Sequence, residues 1–199
     1  MSDQARLGNH CERVVFPASE YIDPSLYCRE LARYRWAMSY VQPGQAVLEL
    51  GCTCGYGTRF LPEECTYVGV DYDEPIVQYA REEYGYSPNC TFVCATIDHY
   101  LNALIDRPFD VIIAMEVIEH VPNGRPVAQR LKTYAATVLL TTPYNEPPGF
   151  WGPHHVLHHL TEKDFPGFTY AYLYRDGVIH ATPDVTPASA SLMLLRWQR

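Results

Sequence analysis

The alternation of short apolar runs with helical stretches limits the fold of this chain more than any other feature. Apolar runs lie at 46–50, 66–71, 91–94, 109–115 and 137–142. Between them the spacing predicts helices over 24–41, 74–84, about 98–105 and about 124–134. A strand–helix–strand series closes through right-handed crossovers, which gives a mostly parallel sheet with helices on both faces. Local signals fit this reading. Asp23-Pro24 supplies an N-cap and a proline at the first helical position. Leu31, Tyr34, Met38 and Val41 follow at helical spacing, and Pro43-Gly44 ends the helix. Pro75 and Gly85 bracket the second helix in the same way.

With 199 residues the chain reads as one domain. At 47% hydrophobic and 19% charged it is neither disordered, coiled-coil nor collagenous. Residues 1–22 read as an irregular N-terminal segment and 23–199 as the domain. The stretch 143–168 is rich in Pro and Gly and reads as a long functional loop over the substrate. Two late strands, 169–175 and 191–198, are expected to pair antiparallel at the end of the sheet. No apolar run is long enough to span a membrane, and the N-terminus lacks the apolar stretch of a secretory signal. Seven Cys without a CxxC spacing suit free thiols in a reducing compartment, so a cytoplasmic location is expected.

The first strand runs straight into a glycine-rich turn, Gly51-Cys52-Thr53-Cys54-Gly55-Tyr56-Gly57, and a short helix is expected to follow to about Leu61. Asp71 ends the second strand. Glycines allow close backbone approach to a nucleotide-like ligand, and an acid on the neighbouring strand takes ribose hydroxyls. The glycine spacing also matches the turn of short-chain dehydrogenases. Their Tyr-x-x-x-Lys pair is absent, because Ala128 and His159 stand four residues before the two lysines, Lys132 and Lys163.

The stretch VLELGCTCGYGTRFL at 47–61 resembles the first motif of the class I S-adenosylmethionine-dependent methyltransferases. GVDYDEPIVQYARE at 69–82, TFVCATI at 91–97, FDVIIAMEVIEHV at 109–121 and TVLLTTPYNE at 137–146 resemble the later motifs in the family's order. The helix ELARYRWAMSYV at 30–41 resembles the one that precedes the fold in a broad subgroup, so the likeness spans about residues 20–175. It implies a Rossmann-like α/β fold with a mostly parallel seven-stranded sheet whose last strand is reversed. It implies S-adenosylmethionine as cofactor, held by Glu49, Gly51, Cys52, Gly55, Gly57, Asp71, Tyr72, Thr96, Ile97 and Glu116. Glu49 is expected near the cofactor's ammonium group, Asp71 at the ribose and the Thr96 hydroxyl at the adenine amine. Arg29, Arg33 and Arg35 either meet the cofactor carboxylate or form an exposed salt-bridge face. Thr53 stands where the family has a glycine and narrows the space beside the cofactor.

Glu116, Glu119 and His120 end the fourth apolar run, where the transferable methyl is expected. His154, His155, His158 and His159 follow in the long loop, so five of the eight His fall in two clusters. Two readings stay open here. In one, His120 or His155 is a neutral base that accepts the proton of an attacking hydroxyl. In the other, Glu116, Glu119, His120 and His155 hold Mg²⁺ or Mn²⁺, as in the small-RNA 2′-O-methyltransferases, and Glu-x-x-Glu-His is also similar to ubiquinone-biosynthesis O-methyltransferases. Phe150 and Trp151 are placed either to stack on the acceptor or to anchor the loop. The expected reaction is O- or N-methylation of a small molecule or sugar. Metal-dependent RNA 2′-O-methylation is the first alternative, against which a net charge of −8 counts. An inactive cofactor-binding regulatory or assembly subunit, suggested by Thr53, is the second.

Overall fold

The computed structural model describes residues 24–106, 108–151, 153–183 and 192–199. The expectation for residues 1–22 lies outside the described residues. Among the described residues, four helices, α1 (Pro24–Met38), α2 (Glu74–Tyr84), α3 (Ile97–Ala103) and α4 (Gly124–Leu131), accompany eight strands. The strands are β1 (Ala46–Leu50), β2 (Thr66–Asp71), β3 (Cys90–Cys94), β4 (Val111–Met115), β5 (Thr137–Pro143), β6 (Thr169–Leu173), β7 (Ile179–His180) and β8 (Leu192–Gln198). They form one sheet in the order β3-β2-β1-β4-β5-β8-β6-β7. The first five pair in parallel, and β8 runs antiparallel to both β5 and β6.

The strand count corrects the expected seven to eight. The extra strand is the two-residue β7, which folds back on β6 through a tight turn at Asp176-Gly177, where Gly177 has φ of 80° and the Asp176 carboxylate accepts from the Val178 N–H. The late strands do pair antiparallel, and β8 is the reversed strand, lying between β5 and β6. The helix starts match the sequence reading more closely than the ends. In α4 the bonds narrow after Leu131, with Lys132, Thr133 and Tyr134 each donating to the carbonyl three residues back, so the helix closes in a tight turn short of 134. Between β1 and β2 the chain forms a one-turn 3-10 helix, Tyr56–Phe60.

Alternation along the strands covers both sheet faces. Val47, Val111, Ile113 and Leu139 join a core with Tyr34 of α1 and Val77 of α2. Leu48, Leu50, Ile112 and Leu140 join another with Leu101 of α3 and Leu131 of α4. Parallel strands buried on both faces leave only their carboxyl ends open to a ligand, and the conspicuous motifs cluster there.

Candidate functional site

Leaving β1, the chain turns at Gly51 and Gly55, with φ of 69° and 83°. A Cβ at Gly51 would strike the Val117 side chain, one at Gly55 would lie 2.8 Å from Phe92, and one at Gly57 would strike Glu49. The glycines therefore seat the loop against the protein beneath it. Thr53, at φ 47°, also takes the left-handed conformation, and its buried hydroxyl has no protein partner. Cys52 is fully buried, with its side chain in the core beneath the loop. Glu49 lies under the loop. Both its oxygens accept tyrosine hydroxyls at 2.5 Å, from Tyr34 and Tyr67, and burial pushes its pKa up to about 7. Its two tyrosine partners and 1% exposure make it a support beneath the loop.

Asp71 closes β2 beside the loop. It accepts the Thr53 N–H at 3.1 Å on one oxygen and the Asp73 N–H at 3.1 Å on the other. Each carboxylate oxygen can accept twice, so room remains for ribose hydroxyls. Burial raises its pKa. The next ring, Tyr72, is 76% exposed and presents an aromatic surface at the same edge. Thr96 caps α3, its hydroxyl accepting from the His99 N–H at 3.3 Å, which leaves one lone pair on that oxygen. Ile97 opens that helix, half-buried against the second core.

Over the end of β4 lies α1. Arg33 pairs with Glu30 and Glu116 and donates to the Tyr56 hydroxyl at 2.9 Å. Arg29 lies 3.9 Å from Glu116 and only 4% exposed, and its Nε and Nη1 have no partner in the protein. Of the two readings for the α1 arginines, the exposed face is thus excluded for Arg29 and Arg33. A buried guanidinium with unmet donors fits the carboxylate of a ligand such as S-adenosylmethionine, just as the unmet Thr53 hydroxyl fits a polar one. Glu116, at φ 54°, is turned into this arginine network.

Beyond Glu116, a 3-10 turn over Ile118–His120 brings in the second cluster. One ligating atom from each of Glu119, His120 and His155 lies within 4.8 Å of the others. Glu119 is 0% exposed and neither carboxylate oxygen has a partner. Burial, and then the neighbouring Glu116 carboxylate, push its pKa well above the usual range. His120 and His155 stand edge to face, with ring centroids 4.6 Å apart. His120 Nδ1 lies 3.0 Å from the His154 carbonyl, which only accepts, so this nitrogen donates. His155 Nδ1 lies 2.5 Å from Glu146 Oε2. Glu116, expected among the metal ligands, is not part of this group, because the arginines hold it. His154 and His159 are exposed, and His159 Nδ1 lies 3.1 Å from the Asn145 side chain. Trp151 has Arg29 at 5.3 Å and Arg175 at 5.8 Å from its ring, so it anchors the loop to α1. The residue missed in the sequence is Glu146. It ends the 137–146 motif, where nothing singles it out, nine residues before its histidine.

Residues 47–137 match the family model of a methyltransferase domain. No curated protein sequence matches the chain. Among solved structures, the chain is similar to N-methyltransferase NodS from Bradyrhizobium japonicum WM9 in complex with S-adenosyl-L-homocysteine. The TM-score is 0.69 at 16% identity, over 98% of this chain and 95% of that one. It is also similar to a complex between the Haloferax volcanii Trm112 methyltransferase activator and a methyltransferase, with TM-score 0.62 at 16% identity over 85% and 90% of the two chains. YcgJ from Bacillus subtilis gives TM-score 0.62 at 15% identity over 87% and 99%. At these identities the likeness is one of fold.

Proposed function

We propose that this chain, whose residues 47–137 match a methyltransferase domain, is a class I S-adenosylmethionine-dependent methyltransferase that methylates an oxygen of a small molecule or sugar. The observation that carries the reading is the meeting of His120 and His155 beside buried Glu119 at the carboxyl end of the sheet. In the transfer the acceptor oxygen forms a bond to the methyl carbon as the carbon–sulfur bond breaks, and S-adenosylhomocysteine leaves. Alignment on that axis supplies much of the rate. A hydroxyl must also lose its proton, and an imidazole lone pair at the acceptor accepts it. Asp71 and Tyr72 serve the cofactor's nucleoside end, and Arg29 its carboxylate.

A metal-assisted version draws on the same residues. Two imidazoles whose Nδ1 atoms are tied to oxygen acceptors, beside a carboxylate with unmet oxygens, form a donor set suited to a divalent ion. Such a set suits Mn²⁺ or another transition metal better than Mg²⁺. An ion held by Glu119, His120 and His155 would lower the pKa of an acceptor hydroxyl bound to it.

The test is a panel of sugars, phenols, amines and short RNA ends, scored by S-adenosylhomocysteine release with chelator and with Mn²⁺. Hydroxyl acceptors are expected to react, and His120→Ala and His155→Ala to lose about 10²- to 10⁴-fold in rate. Cofactor affinity by titration calorimetry is expected to stay unchanged in both variants. Turnover confined to amines and indifferent to both substitutions overturns the reading. Turnover confined to RNA ends and dependent on Mn²⁺ replaces it with RNA 2′-O-methylation, against which the net charge of −8 counts.

A further inference from the structure

We infer that Glu146 is a positioning residue that sets the tautomer of His155 and couples it to the acceptor loop. The inference rests on the reading above for its purpose, but not for its measurement. Glu146 is 5% exposed and His155 6%. The carboxylate has two engagements, Oε2 with His155 Nδ1 at 2.5 Å and Oε1 with the Trp151 N–H at 3.1 Å. Its backbone carbonyl accepts the His159 N–H at 2.8 Å. One residue thus ties three points of the loop together.

The chemistry of the pair decides where the ring proton sits. An ionised carboxylate only accepts hydrogen bonds, so Nδ1 of a neutral His155 must carry the proton and Nε2 the lone pair. That is the form in which the ring can take a proton from an acceptor or bind an ion. Stability alone is a poor reason for such a pair, since well-packed apolar residues often replace buried ionic pairs without loss. The neighbouring ring is arranged alike. His120 presents Nδ1 to the His154 carbonyl of the same loop. A single segment therefore orients both imidazoles, and the Trp151 N–H links that orientation to the aromatic part of the loop.

Glu146→Gln separates positioning from bulk support. The Gln oxygen can still accept the Trp151 N–H, while its NH₂ donates to His155 Nδ1 and forces the proton onto Nε2. The experiment is nitrogen-15 NMR of the histidine rings in the full chain at mildly alkaline pH, without acceptor, with His155 assigned by its loss in His155→Gln. Wild type is expected to show His155 protonated on Nδ1. Glu146→Gln should show it on Nε2, Glu146→Asp should restore the first form, and His120 should not change. A wild-type ring protonated on Nε2, or a tautomer indifferent to Glu146→Gln, overturns the inference, and the first of these is readable even if the variant fails to fold. Methyl transfer, once an acceptor is in hand, should fall about 10- to 100-fold in Glu146→Gln. Titration of S-adenosylhomocysteine into the same samples tests the functional reading separately, so absent cofactor binding would sink that reading and leave the tautomer result standing.

Discussion

Glu49 shows how a single residue makes this loop depend on pH. Burial raises its pKa to about 7, although the hydroxyls of Tyr34 and Tyr67 and the charge of Arg33 pull the other way. From about pH 4.5 to about 7 the folded chain therefore holds a proton that the unfolded chain has lost. The stability Glu49 contributes is complete below that window, falls as pH rises through it and is level above. The full span is about 3 kcal/mol. Urea denaturation at pH 5 and pH 8 should show a smaller difference between the two pH values in Glu49→Gln than in wild type, and equal differences would remove Glu49 as the source. The sequence marks Glu49 as an acid beside a glycine turn, but its partners lie 15 residues before and 18 after it, so only the packed fold reveals them. Glu146 was hidden for the same reason, since its place at the end of the 137–146 motif does not announce the histidine it meets in the folded chain.

At the scale of elements, α1 does more than cover the sheet. It brings Arg29 and Arg33 to Glu116, joining the segment before β1 to the end of β4. Removing Glu116 leaves Arg33 buried with less countercharge, a loss of about 3 kcal/mol. Glu116→Ala is therefore expected to lower the melting temperature by several degrees and to expose α1 to limited proteolysis. Arg29→Met keeps the stem and removes the unmet donors. S-adenosylhomocysteine should then bind about 10- to 100-fold more weakly. Methylthioadenosine, which lacks the carboxylate, should bind wild type and variant alike, and an equal loss for both ligands would assign Arg29 to packing. The spacing of Leu31, Tyr34 and Met38 made the helix legible, and each of the first five strands was legible as an apolar run. What the helix faces was not, because an arginine on an exposed face and one aimed at a distant glutamate read identically along the chain.

For the whole molecule, the sheet order carries the most weight. β8 lies between β5 and β6, and its Met193, Leu194 and Leu195 are buried. Deleting residues 192–199 removes no candidate site residue, yet it opens the edges of β5 and β6 and strips Met193 and Leu195 from the core that Leu48, Leu50, Ile112 and Leu140 share. The truncated chain is expected to lose near-ultraviolet circular dichroism and aggregate, and a soluble truncation that binds S-adenosylhomocysteine would contradict this. The parallel half of the sheet followed from the alternation of strands and helices. The two-residue β7 did not, since its register depends on a turn and not on a pattern. The position of β8 has a further consequence during synthesis. As the chain leaves the ribosome, β1 to β5 and the residues of the cofactor edge emerge before β8 appears. β6 and β7 must wait beside them as a loose flap, because the strand that links them to β5 emerges after both. The nascent protein therefore keeps an open sheet until the last strand slides in, and only then is the packing beneath the cofactor edge complete.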